Sequence, residues 1–134
     1  MEVRMKILFE NCKVFDSSNR IFKPRSILVS DGIILDLLRH TDRRPEVDSV
    51  IDCGGRQVIP GLIDIHTHGR AGADFNTADA DDMRNMAKSY SEYGVTSVFP
   101  TLASAEFESL CCQAELIDSL KGNTDGAEFL GVHL

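Results

Sequence analysis

The chain has 134 residues, with 14 Lys and Arg against 21 Asp and Glu, a formal charge of −7, and 43% hydrophobic residues. That composition excludes a disordered or fibrous protein, and the length is about half of the roughly 250 residues that a complete (β/α)8 barrel needs. Net negative charge, with no basic run longer than Arg43-Arg44, argues against nucleic acid or an anionic membrane as a partner. The start, Met1-Glu2-Val3-Arg4-Met5-Lys6, leads into only a short apolar run, Ile7-Leu8-Phe9. This is no signal-peptide core, and no run in the chain approaches the ~18 residues of a membrane span. Cys12, Cys53, Cys111 and Cys112 include no Cys-x-x-Cys pair. Reduced thiols acting as small hydrophobes in a cytoplasmic protein are therefore expected.

Up to about Ile59 the pattern is short β-rich runs separated by turn residues. Met5–Phe9 and Lys13–Phe15 come first, followed by a break at Asp16–Asn19. Ser26–Ser30 and Ile33–Leu38 flank Asp31-Gly32, a pair that accepts the positive φ angles of a two-residue hairpin turn. Residues 39–49 are polar, contain Pro45 and both signs of charge, and read as a solvated loop that includes His40. Val50–Asp52, a turn at Gly54-Gly55, and Gln57–Ile59 follow.

From Pro60 the period changes. Leu62–Thr67 is an apolar strand, and a glycine-rich loop from Gly69 to Asn76 leads to a helix predicted over Ala78–Tyr93. Its inner stripe is Met83, Met86, Tyr90 and Tyr93, at steps of 3 and 4 residues. Asp79, Asp81 and Asp82 sit where the helix dipole favours anions, and Gly94 is placed to end the helix. Val95–Phe99 is a second strand stopped by Pro100. Ser104 is placed to cap a second helix whose inner face is Phe107, Leu110, Ala114, Ile117 and Leu120, closing at Gly122. Glu128–Leu134 reads as a third strand. Strand, helix, strand, helix, strand implies a parallel sheet.

Chemistry concentrates at Asp64-Ile65-His66-Thr67-His68-Gly69. Side chains alternate along a strand, so His66 and His68 point to one face at its C-terminal end, before a glycine-rich loop. Two imidazoles there suit a divalent ion such as Zn²⁺ or Fe²⁺. The other reading is a pair of surface or core histidines. Asp64, on the same face one rung below His66, is either an acceptor that fixes an imidazole tautomer or orders the loop, or a carboxylate satisfied by nearby backbone N–H groups. His133, on the third strand, is either a ligand or substrate contact, or a packed strand histidine.

The run Pro60-Gly61-Leu62-Ile63-Asp64-Ile65-His66-Thr67-His68 resembles the first-strand signature of the amidohydrolase superfamily. Ser30-Asp31-Gly32-Ile33-Ile34 and Val50-Ile51-Asp52 resemble the small β-sandwich that precedes its barrel. A narrower resemblance lies in Gly72-Ala73-Asp74-Phe75, in residues 93–104 and in Phe129-Leu130-Gly131-Val132-His133-Leu134. Together these are similar to the N-acetylglucosamine-6-phosphate deacetylase family. The resemblance implies an α/β fold, with N-terminal strands of a β-sandwich over residues 1–57 and the first β/α units of an incomplete TIM-type barrel over 58–134. It implies metal-dependent hydrolysis of N-acetylglucosamine 6-phosphate to glucosamine 6-phosphate and acetate in amino-sugar catabolism. His66 and His68 would be metal ligands. No catalytic residue is assigned within this chain, because the family's Glu-Gly-Pro, whose glutamate is a ligand, would follow Leu134, and the proton-transferring carboxylate lies on later strands. The alternatives are a dihydroorotase-like cyclic amidase and a stand-alone, non-catalytic module. Partners expected on this reading are a small sugar phosphate and further copies of the chain, and the isolated 134 residues are expected to be inert.

Overall fold

A computed structural model of the chain describes residues 5–134; the reading of the start at Met1 to Arg4 lies outside the described residues. The chain divides between Pro60 and Gly61 into two compact units. The first is a single five-stranded sheet of β1 (Lys6–Asp16), β2 (Ile21–Ser30), β3 (Ile33–Leu38), β4 (Ser49–Asp52) and β5 (Gln57–Val58). β1 is central, antiparallel to β2 on one side and parallel to β4 and then β5 on the other. The two short runs expected at the start are one strand of 11 residues. A bulge between Phe9 and Cys12, with Asn11 at φ 54°, absorbs the polar interruption that makes the sequence look broken. The expected hairpin joins β2 and β3, and Asp31 and Gly32 have φ of 51° and 77°.

The second unit is mixed α/β. Three parallel strands lie in the order β10 (Glu128–Phe129), β9 (Val95–Pro100), β6 (Leu62–Thr67), with α1 (Ala80–Ser91) and α2 (Phe107–Ser119) in the connections. Inside the glycine-rich loop, β7 (Gly69–Arg70) and β8 (Ala73–Asp74) form a small antiparallel hairpin. The core gathers Met83, Met86, Ala87 and Tyr90 of α1, Val98 of β9, Ile117 of α2, and Phe75 and Phe129, whose rings meet edge to face with centroids 5.7 Å apart. Gly61 is required by packing, since a Cβ there would lie 2.0 Å from Thr96 Oγ1.

Four expectations are corrected. α1 starts after Asp79, whose carboxylate accepts from the N–H groups of Asp81 and Asp82, and ends at Ser91. Tyr93 therefore falls past the helix; it is 71% exposed, with the Arg70 guanidinium 4.5 Å from its ring centroid. Ser104 does not cap α2: the residue before its first turn is Glu106, which makes no side-chain cap bond. Phe107 opens that helix on the solvent side at 78% exposure, while Ile117 and Leu120 are buried. The third strand pairs only at Glu128 and Phe129, with a later bridge between His133 and Thr101.

Candidate active-site corner

The C-terminal ends of the three parallel strands are tied together through Thr101, the residue after β9. Its N–H donates to the Thr67 carbonyl at 2.8 Å, and its hydroxyl accepts from the Thr67 N–H at 3.1 Å. On its other side, Leu102 N–H donates to the His133 carbonyl at 3.0 Å, and His133 N–H donates to Pro100 O at 2.9 Å. These bonds bring His133 to the end of β6 from 67 residues away.

At that corner the rings of His66 and His68 stand edge to face, with centroids 5.2 Å apart, and His133 lies 4.8 Å from His66 on its other side. Nδ1 of His133 is 3.2 Å from the Ile65 carbonyl and 3.3 Å from Nδ1 of His66. A carbonyl oxygen only accepts, so in this arrangement the His133 Nδ1 carries the proton and the His66 Nδ1 meets it as acceptor. All three histidines are exposed. Asp64 makes its contact with backbone, its Oδ1 accepting from the His66 N–H at 3.1 Å. That contact is of the second kind the sequence leaves open for Asp64, a carboxylate bonded by a nearby backbone N–H. Among the described residues, no three His, Cys, Asp or Glu side chains converge as a metal-holding group.

Behind the histidines the strand is anchored from its opposite face. Thr67 alternates with His66, and its hydroxyl bonds to the Tyr90 hydroxyl, which also donates to Gly69 O at 3.3 Å. Burial pushes the Tyr90 phenol above its ordinary pKa, opposed by the Thr67 hydrogen bond. The loop after His68 is pinned at its far end by Asn76, whose side chain donates to Ala103 O at 2.9 Å and accepts from Ala103 N–H at 2.7 Å. Phe75 N–H donates to the His68 carbonyl at 2.8 Å and closes the loop on the core. Sequence reasoning took Tyr90 as packing alone and did not single out Thr101 or Asn76. Thr101 carried a usable signal, a hydroxyl residue directly after the strand-ending proline.

No protein-family model matches the chain. It is 33% identical to N-acetylglucosamine-6-phosphate deacetylase of Caenorhabditis elegans over 96% of its own length and 32% of that protein. It is 35% identical to a dihydroorotase of a Geobacter species over 70% of the chain and 21% of that protein. Among solved structures, N-acetylglucosamine-6-phosphate deacetylase from Pasteurella multocida superposes with a TM-score of 0.75 at 20% identity, covering 86% of this chain and 30% of that one. The chain is a relative of the N-acetylglucosamine-6-phosphate deacetylases, alike over nearly all of its own length and spanning about a third of the length of the curated relatives it matches.

Proposed function

We propose that the chain is the N-terminal portion of a metal-dependent N-acetylglucosamine-6-phosphate deacetylase, of the amidohydrolase superfamily, which releases acetate and glucosamine 6-phosphate. The observation that carries this reading is the 33% identity maintained over 96% of the chain. Two neutral imidazoles at the mouth of a parallel sheet suit a divalent ion such as zinc or iron, and His66 and His68 would hold it. When bound, such an ion polarises the amide carbonyl and lowers the pKa of a water. The chain's own residues position and orient. Asp64 and Thr67 hold the strand carrying the histidines, and His133, whose ring stands beside that of His66, would contact the substrate.

His66 can present Nε2 to an ion only with its proton on Nδ1, so binding through that atom requires the hydrogen bond with His133 to reverse its direction or break. Two imidazoles are also fewer than the three protein ligands usual in catalytic zinc sites, so the isolated chain would hold metal weakly and catalyse nothing. Exposed Ile63 and Ile65 on the edge strand β6 favour self-association, which sedimentation across a hundredfold concentration range would detect. The second reading, a cyclic amidase, has the dihydroorotase likeness behind it. Assaying the complete gene product on both substrates separates the two. Acetate release from N-acetylglucosamine 6-phosphate without ring opening of dihydroorotate is expected; the reverse pattern would overturn the reading.

A further inference from the structure

Two of the four cysteines meet in the first unit. Cys12 follows the bulge of β1 and is 1% exposed, and its Sγ lies 3.5 Å from Phe9 O and 3.7 Å from Glu10 O. Cys53 follows β4, and its N–H donates to the same Glu10 carbonyl at 2.8 Å. The two residues thus converge on one backbone oxygen, although they lie far apart in sequence. Both line one apolar hollow of about 330 Å³ with Phe9, Ile27, Val29 and Ile34. Cys53 is half-buried and Cys12 buried. The exposed turn at Gly54-Gly55, where both φ angles are positive, is fastened beside β1 by Gly54 N–H donating to Asp52 Oδ1 at 2.8 Å and Gly55 N–H donating to Asn11 O at 2.7 Å, which keeps Cys53 next to Cys12. Cys111 and Cys112 lie elsewhere, on α2.

We infer that Cys12 and Cys53 form a reversible disulfide pair, oxidised by thiol–disulfide exchange with a low-molecular-weight disulfide, which covalently ties β1 to the end of β4. Burial, and after it the contact with the Cys53 thiol, pushes the Cys12 thiol up to about 12, so Cys12 stays protonated while the more accessible Cys53 reacts first. The Cys53 thiolate attacks one sulfur of the small disulfide, forming a mixed disulfide and expelling one small thiolate. The Cys12 sulfur then attacks the Cys53 sulfur, giving up its proton to the second small thiolate as that group departs and the protein disulfide closes. Two protein thiols lose two electrons to the small disulfide, and their two protons leave on the two small thiols. The pair is independent of the deacetylase reading and stands or falls apart from it.

The test is to incubate the 134-residue chain with oxidised glutathione and map it without reduction by mass spectrometry. The expected product is lighter by about 2 Da within the Cys12–Cys53 cross-linked peptide pair, and a dithiol reductant reverses the change. In Cys12→Ala, one glutathione remains on Cys53. In Cys53→Ala, a change at a half-buried site that leaves the core intact, Cys12 takes up none. The inference is overturned if Cys12 and Cys53 stay free while exposed Cys112 has reacted, if Cys53 pairs with Cys111 or Cys112, or if Cys12 is glutathionylated in Cys53→Ala.

Discussion

Gly69 follows His68 and opens the loop hairpin, and Gly69→Ala tests whether that close approach holds the candidate site together. A Cβ there would lie 2.1 Å from Ala73 O and 2.8 Å from Asp74 Cα. Both obstacles are backbone, and ordinary carbon contacts begin near 3.5 Å, so β7 and β8 must separate by more than about an ångström. That breaks the Gly69–Asp74 and Arg70–Ala73 pairing and pulls on the Phe75 N–H bond to His68. Two backbone hydrogen bonds at about 1 kcal/mol each, with partial unpacking of fully buried Phe75 against Phe129, give a loss of about 3 kcal/mol. Gly72→Ala is the matched control: φ is 86°, yet nothing lies within 4 Å, so only the left-handed backbone costs, about 1 kcal/mol. The assay is thermal unfolding followed by tyrosine fluorescence. The chain has no Trp and 2 Tyr, Tyr90 and Tyr93, so the signal reports the second unit. Gly69→Ala should melt about 10 °C below wild type and Gly72→Ala a few degrees below. Equal losses in the two variants would refute the steric argument.

Tyr90→Phe removes the hydroxyl that meets Thr67 and Gly69 O, and should destabilise the second unit by about 1–2 kcal/mol in urea titration, with no change in far-UV circular dichroism. Asp52 accepts from Gly54 N–H at 2.8 Å and from Asn11 Nδ2 at 2.9 Å, bonds that hold its carboxyl below the ordinary range, Gly54 first. A depressed folded pKa stabilises above the unfolded value, near 4, and that contribution is lost as pH falls through the folded value. The stability difference between wild type and Asp52→Asn should therefore be largest at neutral pH and shrink below about pH 4; a constant difference would contradict it. Zinc added to the 134-residue chain should be lost on dialysis against a moderate chelator, and stoichiometric retention would show a third ligand.

Much of the local structure was legible because its causes are local. Asp31-Gly32 announced the hairpin through turn chemistry alone, and the i, i+2 spacing placed the His66 and His68 rings side by side. Tyr93 was misplaced because periodicity carries no information about where the helix stops; the chain leaves it at Ser91 and Tyr93 packs under Arg70 instead. The last strand reads as one apolar run, but its bonds to β9 are spaced, Leu130 to Val98 and His133 to Pro100, so regular pairing is short. The contact of His133 with His66, and the roles of Thr101 and Asn76, depend on residues brought together only by the fold. No spacing in the sequence encodes these contacts, although the hydroxyl residue directly after Pro100 marks Thr101 itself.

The proposed role of His66 and His68 as metal ligands of an N-acetylglucosamine-6-phosphate deacetylase has a direct test. Acetate release from N-acetylglucosamine 6-phosphate by the complete gene product, in wild type and in His66→Ala/His68→Ala with added Zn²⁺ or Fe²⁺, tests it most directly. Turnover by wild type and a loss of at least about 100-fold in the double variant are expected. Wild-type turnover that survives unchanged in the double variant would contradict it.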